Sequence, residues 1–251
     1  MANRRSFVAC APQDKRCAGV LGHAAFDTVA DQSLCVLLVG ATGLVGRECL
    51  RLLLADSGFG RITVLTRRPL SPDVRSPKLE THVVDFDHLN EYDALFAVDA
   101  IICALGTTIR QAGSRTRFRT VDYEYPLAFA RLGRRQGCEH FLVVSALGAN
   151  RRSRVFYNRV KGELEDALRA LGYARLTIVR PSLLLGPRTE LRLGEEVAKR
   201  VTRWLGPLVP RAYKPVEARA VATALVNAAR ERQSGVKVIE SAEIAELRVQ
   251  I

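Results

Sequence analysis

Tyr157 and Lys161 stand four residues apart, and Ser145 lies twelve residues before the tyrosine. On a helix, positions i and i+4 share a face. An ammonium so placed stabilises a phenolate, and a phenol beside a carbonyl oxygen can give it a proton while a hydride reaches the carbon. A hydroxyl such as that of Ser145 can hold the reacting oxygen in line. With 6 Tyr and 6 Lys in 251 residues, chance supplies about 0.14 Tyr-x-x-x-Lys pairs, so the neighbouring elements must decide what the pair means. The plain alternative is a half-buried tyrosine beside a solvated lysine.

Those elements alternate. Cys35-Val36-Leu37-Leu38-Val39 is a short apolar run of the kind that forms a strand buried on both faces. Further strands are expected at 62–65, 81–84, 100–104, 141–144, 176–179 and 236–239. Helical spacing follows the first run up to Gly58, and recurs at 118–135 with a bend near Pro126, at 154–171 closed by Gly172, and at 216–230. Alternation of this kind predicts an α/β fold, a doubly wound parallel sheet with right-handed crossovers. Ligands of such sheets bind beyond the carboxyl ends of the strands, where strand order reverses. Gly40, Gly106, Ser145 and Arg180 all follow strand ends, so the pattern places them along one crevice.

Three segments say which ligand. Gly40-x-x-Gly43-x-x-Gly46 leaves the first strand and opens a helix. The glycines allow a tight turn, close approach of a pyrophosphate and close helix–sheet packing, and the helix N-terminus offers free N–H groups to the phosphates. The second strand ends in Leu65-Thr66-Arg67-Arg68-Pro69, with no acid for a ribose 2′-hydroxyl. Guanidinium forks there suit a 2′-phosphate, which favours NADP(H) over NAD(H); the alternative is a pair of solvated loop arginines. Asp85 and Phe86 end the third strand, where an acid and a ring could meet an adenine.

The chain resembles the short-chain dehydrogenase/reductase superfamily, in its atypical or extended-like branch. The glycine spacing, the Ala104-Leu105-Gly106 turn, the Ser145, Tyr157 and Lys161 trio, and the run Arg180-Pro181-Ser182-Leu183 carry the likeness. Cys103 to Thr108, Val121-Asp122-Tyr123 and Ser145 to Gly148 narrow it toward NADPH-binding oxidoreductases of the HIV Tat-interactive protein type. It spans about Leu34 to Ile239. The resemblance implies Tyr157 as general acid or base, Lys161 as its electrostatic helper and nicotinamide-ribose ligand, and Ser145 as a donor to the reacting oxygen. It also implies that Gly40, Thr42, Gly43, Leu44, Val45 and Gly46 cradle the cofactor, with Arg67, Arg68, Asp85 and Phe86 at its adenosine end. Ala104, Leu105, Gly106, Lys161, Arg180, Pro181 and Leu183 would pass the nicotinamide. Many relatives carry an additional catalytic Asn, for which this sequence offers no clear match. An NADP(H)-dependent oxidoreductase of a small carbonyl or alcohol is therefore expected; the alternative is an NADPH-binding regulator that engages another protein.

Bulk properties fit one domain of this kind. Residues 1–33 read as a poorly ordered tail and 34–251 as the Rossmann domain, with a substrate-pocket segment at about 181–215. The formal charge of +12 comes from Arg scattered over the chain, and no long basic block interleaves with aromatics, so nucleic acid is not expected. No apolar run is long enough to span a bilayer. Cysteines at 10, 17, 35, 49, 103 and 138 and four histidines show no metal-ligand spacing. Cysteines within apolar strands behave as small hydrophobes and point to a reduced, cytoplasmic protein; a monomer or homodimer is expected.

Overall fold

The apolar run at the start of the domain becomes the centre of the sheet. In the computed structural model, which describes residues 33–185 and 214–247, β1 (Leu34–Val39) lies between two parallel neighbours. Its side chains alternate between two cores. Val36 and Leu38 pack on one face, Leu37 and Val39 on the other, and all four are fully buried. α1 (Leu44–Ala55) follows, then β2 (Phe59–Thr66), β3 (Leu79–Val83) and a 3-10 segment at Phe86–Phe96. β4 (Ala100–Cys103) returns to the other side of β1.

After β4 come α2 (Ile109–Ala112), α3 (Arg115–Arg119), a π-helical turn at Thr120–Glu124 and α4 (Tyr125–Arg135). β5 (His140–Val144), α5 (Phe156–Ala170) and β6 (Arg175–Arg180) continue the alternation. β7 (Leu184–Leu185) and β8 (Val216–Glu217) form a small parallel pair. α6 (Ala218–Arg230), β9 (Gly235–Glu240) and α7 (Ser241–Glu246) complete the described chain. Among the described residues the main sheet has the order β3-β2-β1-β4-β5-β6-β9, and every pairing in it is parallel. This is the expected doubly wound sheet. Its order reverses between β1 and β4, so the crevice opens beyond their carboxyl ends. α1 and α6 cover one face; α4, α5 and the 3-10 segment cover the other.

The helix expected over 118–135 is bent, and the bend has a cause. Pro126 has no N–H, so the carbonyl of Asp122, four residues earlier, loses its helical donor. The chain widens instead: the N–H of Tyr125 bonds the carbonyl of Thr120, five residues back. Such π turns recur at functional sites, and this one places Asp122 inside the protein, with no exposure. The 3-10 segment, α2, the β7–β8 pair and α7 have no counterpart in the periodicity, since each is too short to show one. Residues 1–32 and positions 186–213 of the expected pocket segment lie outside the described residues.

Candidate active site

The glycine loop forms as its sequence requires. Gly40 has φ +87°, a left-handed value that costs glycine little, and a Cβ there would stand 2.7 Å from the carbonyl of Ala104. A Cβ on Gly46 would overlap the carbonyl oxygen of Gly40. The loop is thus locked to the turn after β4 on one side and to α1 on the other. Thr42 and Gly43 are exposed, Leu44 is half-buried and Val45 buried. Gly43 caps α1 without a side-chain hydrogen bond, and the first turn carries no acid. The N–H groups at the start of α1 are therefore left for an anion from outside the chain. A Cβ on Gly43 would stand 3.2 Å from the Gly40 carbonyl oxygen, so glycine keeps this loop open.

At the end of β2, Arg67 and Arg68 are both exposed. Thr66 shapes the turn: its hydroxyl donates to the Arg68 carbonyl at 2.8 Å. The Arg67 guanidinium lies 5.8 Å from the centre of the Phe86 ring. Phe86 itself is a core residue, packed edge-on against Tyr125 and Phe129. Of the two, the arginine is exposed and the phenyl ring is buried. Asp85 caps the 3-10 segment, accepting from the N–H of Asp87 at 3.0 Å, and pairs with His88 at 2.9 Å. Those two contacts, the backbone N–H first, hold its carboxyl below the usual carboxylate range.

Beyond the switch point, Ala104 and Leu105 are half-buried and Gly106 is exposed. Tyr157 and Lys161 share a face of α5. Tyr157 is half-buried, its ring 5.5 Å from that of Phe118. Lys161 is only 2% exposed. Its ammonium lies 2.8 Å from Asp122 Oδ1, an ion pair without the alignment of a hydrogen bond, and 3.4 Å from the carbonyl of Val144. The other carboxylate oxygen of Asp122 accepts the N–H of Thr107 at 2.9 Å. Burial, the largest single influence, pushes the lysine pKa down, but Asp122 and the smaller contributions of Tyr157 and Cys103 together more than offset it, and the net direction is up. Cys103, at the end of β4, faces the same ammonium; burial pushes its thiol up to about 11.

Ser145 and Arg180 are drawn elsewhere. The Ser145 hydroxyl is 3% exposed and donates to Glu165 Oε1 at 2.5 Å. That hydrogen bond ties the end of β5 to α5 through the buried carboxylate of Glu165. Arg180, expected beside a nicotinamide, grips the same Glu165 through Nε at 2.9 Å and Nη2 at 2.6 Å, and bonds Glu240 at 2.8 Å. Its fork is spent on carboxylates. Pro181 is buried and accepts the N–H of Leu147 through its carbonyl, while Leu183 is exposed and bonds the N–H of Val216. Two residues that sequence reasoning missed, Asp122 and Glu165, organise these groups. Each left a signal. Glu165 continues the Tyr157, Lys161 spacing by one more step of four, and Asp122 interrupts the apolar stripe four residues after Phe118.

A doubly wound sheet with a glycine cradle at its switch point defines a dinucleotide-binding protein. The model of the NAD(P)H-binding family matches residues 40–231, and the chain belongs to that Rossmann-fold family. It is 37% identical over 171 residues to Protein HTATIP2 of Rattus norvegicus, covering 67% of this chain and 70% of the relative. It is 30% identical over 205 residues to the mitochondrial Protein FMP52 of Candida albicans, covering 79% and 89%. Among solved structures, MoeE5 in complex with UDP-glucuronic acid and NAD superposes with a TM-score of 0.63 at 19% identity, over 81% of this chain and 75% of that one. That likeness is one of fold. Among the described residues no helix is long and apolar enough to cross a membrane, and no group of His, Cys, Asp and Glu could hold a metal ion.

Proposed function

We propose that the protein is an NADP(H)-dependent oxidoreductase of a small carbonyl or alcohol, with Tyr157 as its proton donor or acceptor. The observation that carries this reading is the placement of Lys161. It is buried on α5, on the face of Tyr157, against the end of β4. β4 pairs with β1, whose end opens into the glycine cradle. Gly40 to Gly46 would hold a nicotinamide cofactor, which would supply the hydride for a carbonyl carbon. Tyr157 gives its hydroxyl proton to the carbonyl oxygen, and solvent returns that proton. Lys161 steadies the phenolate and holds ribose hydroxyls; Ser145, through Glu165, fixes β5 against α5. Arg67 and Arg68 take the 2′-phosphate. The sugar nucleotide named for MoeE5 is not carried over, because a shared fold does not transmit a substrate.

Titration of intrinsic fluorescence with NADPH and NADH tests the cofactor. A panel of aldehydes, ketones and quinones, read as NADPH oxidation, tests the chemistry. Tyr157→Phe should lower the rate by about 10² to 10⁴-fold, the usual worth of a placed general acid. Equal rates in the two proteins would sink the mechanism.

A second reading, an NADPH-binding regulator with little turnover, is favoured by the capture of Ser145 by Glu165. NADPH binding without oxidation across the whole panel would select it. The compartment is open to the same kind of test. The free thiols at Cys49, Cys103 and Cys138 suit a reducing compartment. The address in the name of the Candida relative sets mitochondria beside the cytoplasm, and fractionation decides between them.

A further inference from the structure

Two arginines from different helices lean on one ring. The Arg115 guanidinium, from α3, lies 5.3 Å from the centre of the Phe156 ring, and that of Arg159, from α5, lies 5.7 Å from it. On each helix an arginine stands three residues from a phenylalanine, Arg115 with Phe118 and Arg159 with Phe156, so each pair shares a face. The Phe118 and Phe156 rings meet at 5.8 Å, and Phe118 also meets the Tyr157 ring at 5.5 Å. Phe156 is thus joined to Tyr157 both through the chain and through a shared ring neighbour. α5 starts where the chain returns from the carboxyl end of β5, and α3 follows the carboxyl end of β4, so the group stands on the crevice side of the sheet.

The charge gathered there has no counterpart. Among the described residues no carboxylate pairs with Arg115 or Arg159. Arg159 donates from Nη1 to the Ser153 carbonyl at 3.0 Å, a bond that fixes the side chain and leaves its charge in place. Arg154 is exposed just before α5, and the first turn of that helix carries no acid. The nearest acids of α5 are already taken: Glu163 by Arg119 at 2.6 Å, and Asp166 by Arg151 and Arg169, each at 3.6 Å. Cations held on one side of a crevice repel one another until an anion joins them. The ring also prepares the arginines for it, since a guanidinium over an aromatic face keeps N–H groups free for oxygen.

We infer that the carbonyl ligand of this site carries an anionic oxygen group, a carboxylate or a phosphate, received by Arg115 and Arg159 over Phe156. This names the substrate class of the proposed function and rests on it. The anionic group lies several atoms from the carbonyl, because a ring stands between the guanidiniums and Tyr157.

The test titrates full-length protein, with and without NADP⁺, with 4-formylbenzoate, 4-formylphenylphosphonate and the neutral 4-formylbenzamide, read by calorimetry. At least one of the anions should bind about 10-fold or more tightly than the amide, the worth of a hydrogen bond to a charged group. The tighter of the two names the anion. Arg115→Gln and Arg159→Gln should each reduce the preference, and the double variant should bring the two affinities together. Equal affinities for anions and amide in the wild type overturn the inference, and so does a preference that survives in the double variant. If the double variant loses its folded circular dichroism spectrum, Arg115→Gln decides, since the side chain it replaces is exposed; an undiminished preference in that variant overturns the inference. NADPH oxidation is measured beside the binding. Absence of turnover on these aldehydes and on the wider panel defeats the proposed function, while the ratio of affinities alone judges the anion site.

Discussion

At the scale of single residues, charge decides most of what this site can do. Lys161 and Asp122 are so deeply buried that each is tolerable only with the other. Removing one partner of such a pair costs about 3–5 kcal/mol, since the survivor is left uncompensated. The arginines at the end of β2 are the opposite case: exposed, and in the proposed function the partners of a ligand's 2′-phosphate. Arg67→Ala and Arg68→Ala should each weaken NADPH binding by about 10- to 100-fold, the worth of a charge-assisted hydrogen bond of about 1.5–3 kcal/mol. NADH, which lacks the 2′-phosphate, should bind both variants as it binds the wild type. Parallel fluorescence titrations with the two cofactors would check this. Equal losses for both cofactors would remove the arginines from the 2′-phosphate.

At the scale of elements, the cradle is a matter of close approach. α1 starts within contact of the Gly40 carbonyl because position 46 has no side chain. Gly46→Ala would drive a methyl group into that carbonyl, and either the loop or the helix must move. Overpacking of this kind costs about 1–3 kcal/mol, so a fall in Tm is expected together with loss of NADPH binding. A variant that kept wild-type affinity would show that the loop does not hold the phosphates. The same reasoning explains the bend before α4. Pro126 was visible as the place where a helix must yield, and the wider turn that results is what admits a carboxylate to the lysine.

At the scale of the whole molecule, the two ends of the sheet have different work. The carboxyl ends carry the cradle, Tyr157 and Lys161. The amino ends carry stability, and His140 at the start of β5 is a case in point. Its ring is 2% exposed, 3.0 Å from the Thr177 hydroxyl on β6, and its other nitrogen has no partner. Burial first, and then Arg175, lowers its pKa to about 4. Because the folded value lies below the unfolded one, near 6.5, the unfolded chain binds the extra proton first. Stability should therefore be full above about pH 6.5 and decline by about 2–3 kcal/mol as pH falls toward 4. In His140→Gln the difference between Tm at pH 7 and pH 5 should shrink; an unchanged difference would assign the acid sensitivity to other groups. Much of this architecture was legible from the chain. Apolar runs at even spacing specify buried parallel strands, glycines at 40, 43 and 46 specify a backbone that something approaches closely, and the four-residue step from Tyr157 to Lys161 specifies a shared helical face. These are local facts, fixed by the period of the backbone and by the presence or absence of a Cβ. What only the tertiary structure decided are the partners of the charges. That Ser145 donates a hydrogen bond to Glu165, that Arg180 is clamped by Glu165 and Glu240, and that Asp122 meets Lys161 across 39 positions of chain depends on how separate elements pack. A buried ion chooses its partner by distance in space, and sequence spacing carries no such distance beyond a helical turn or two.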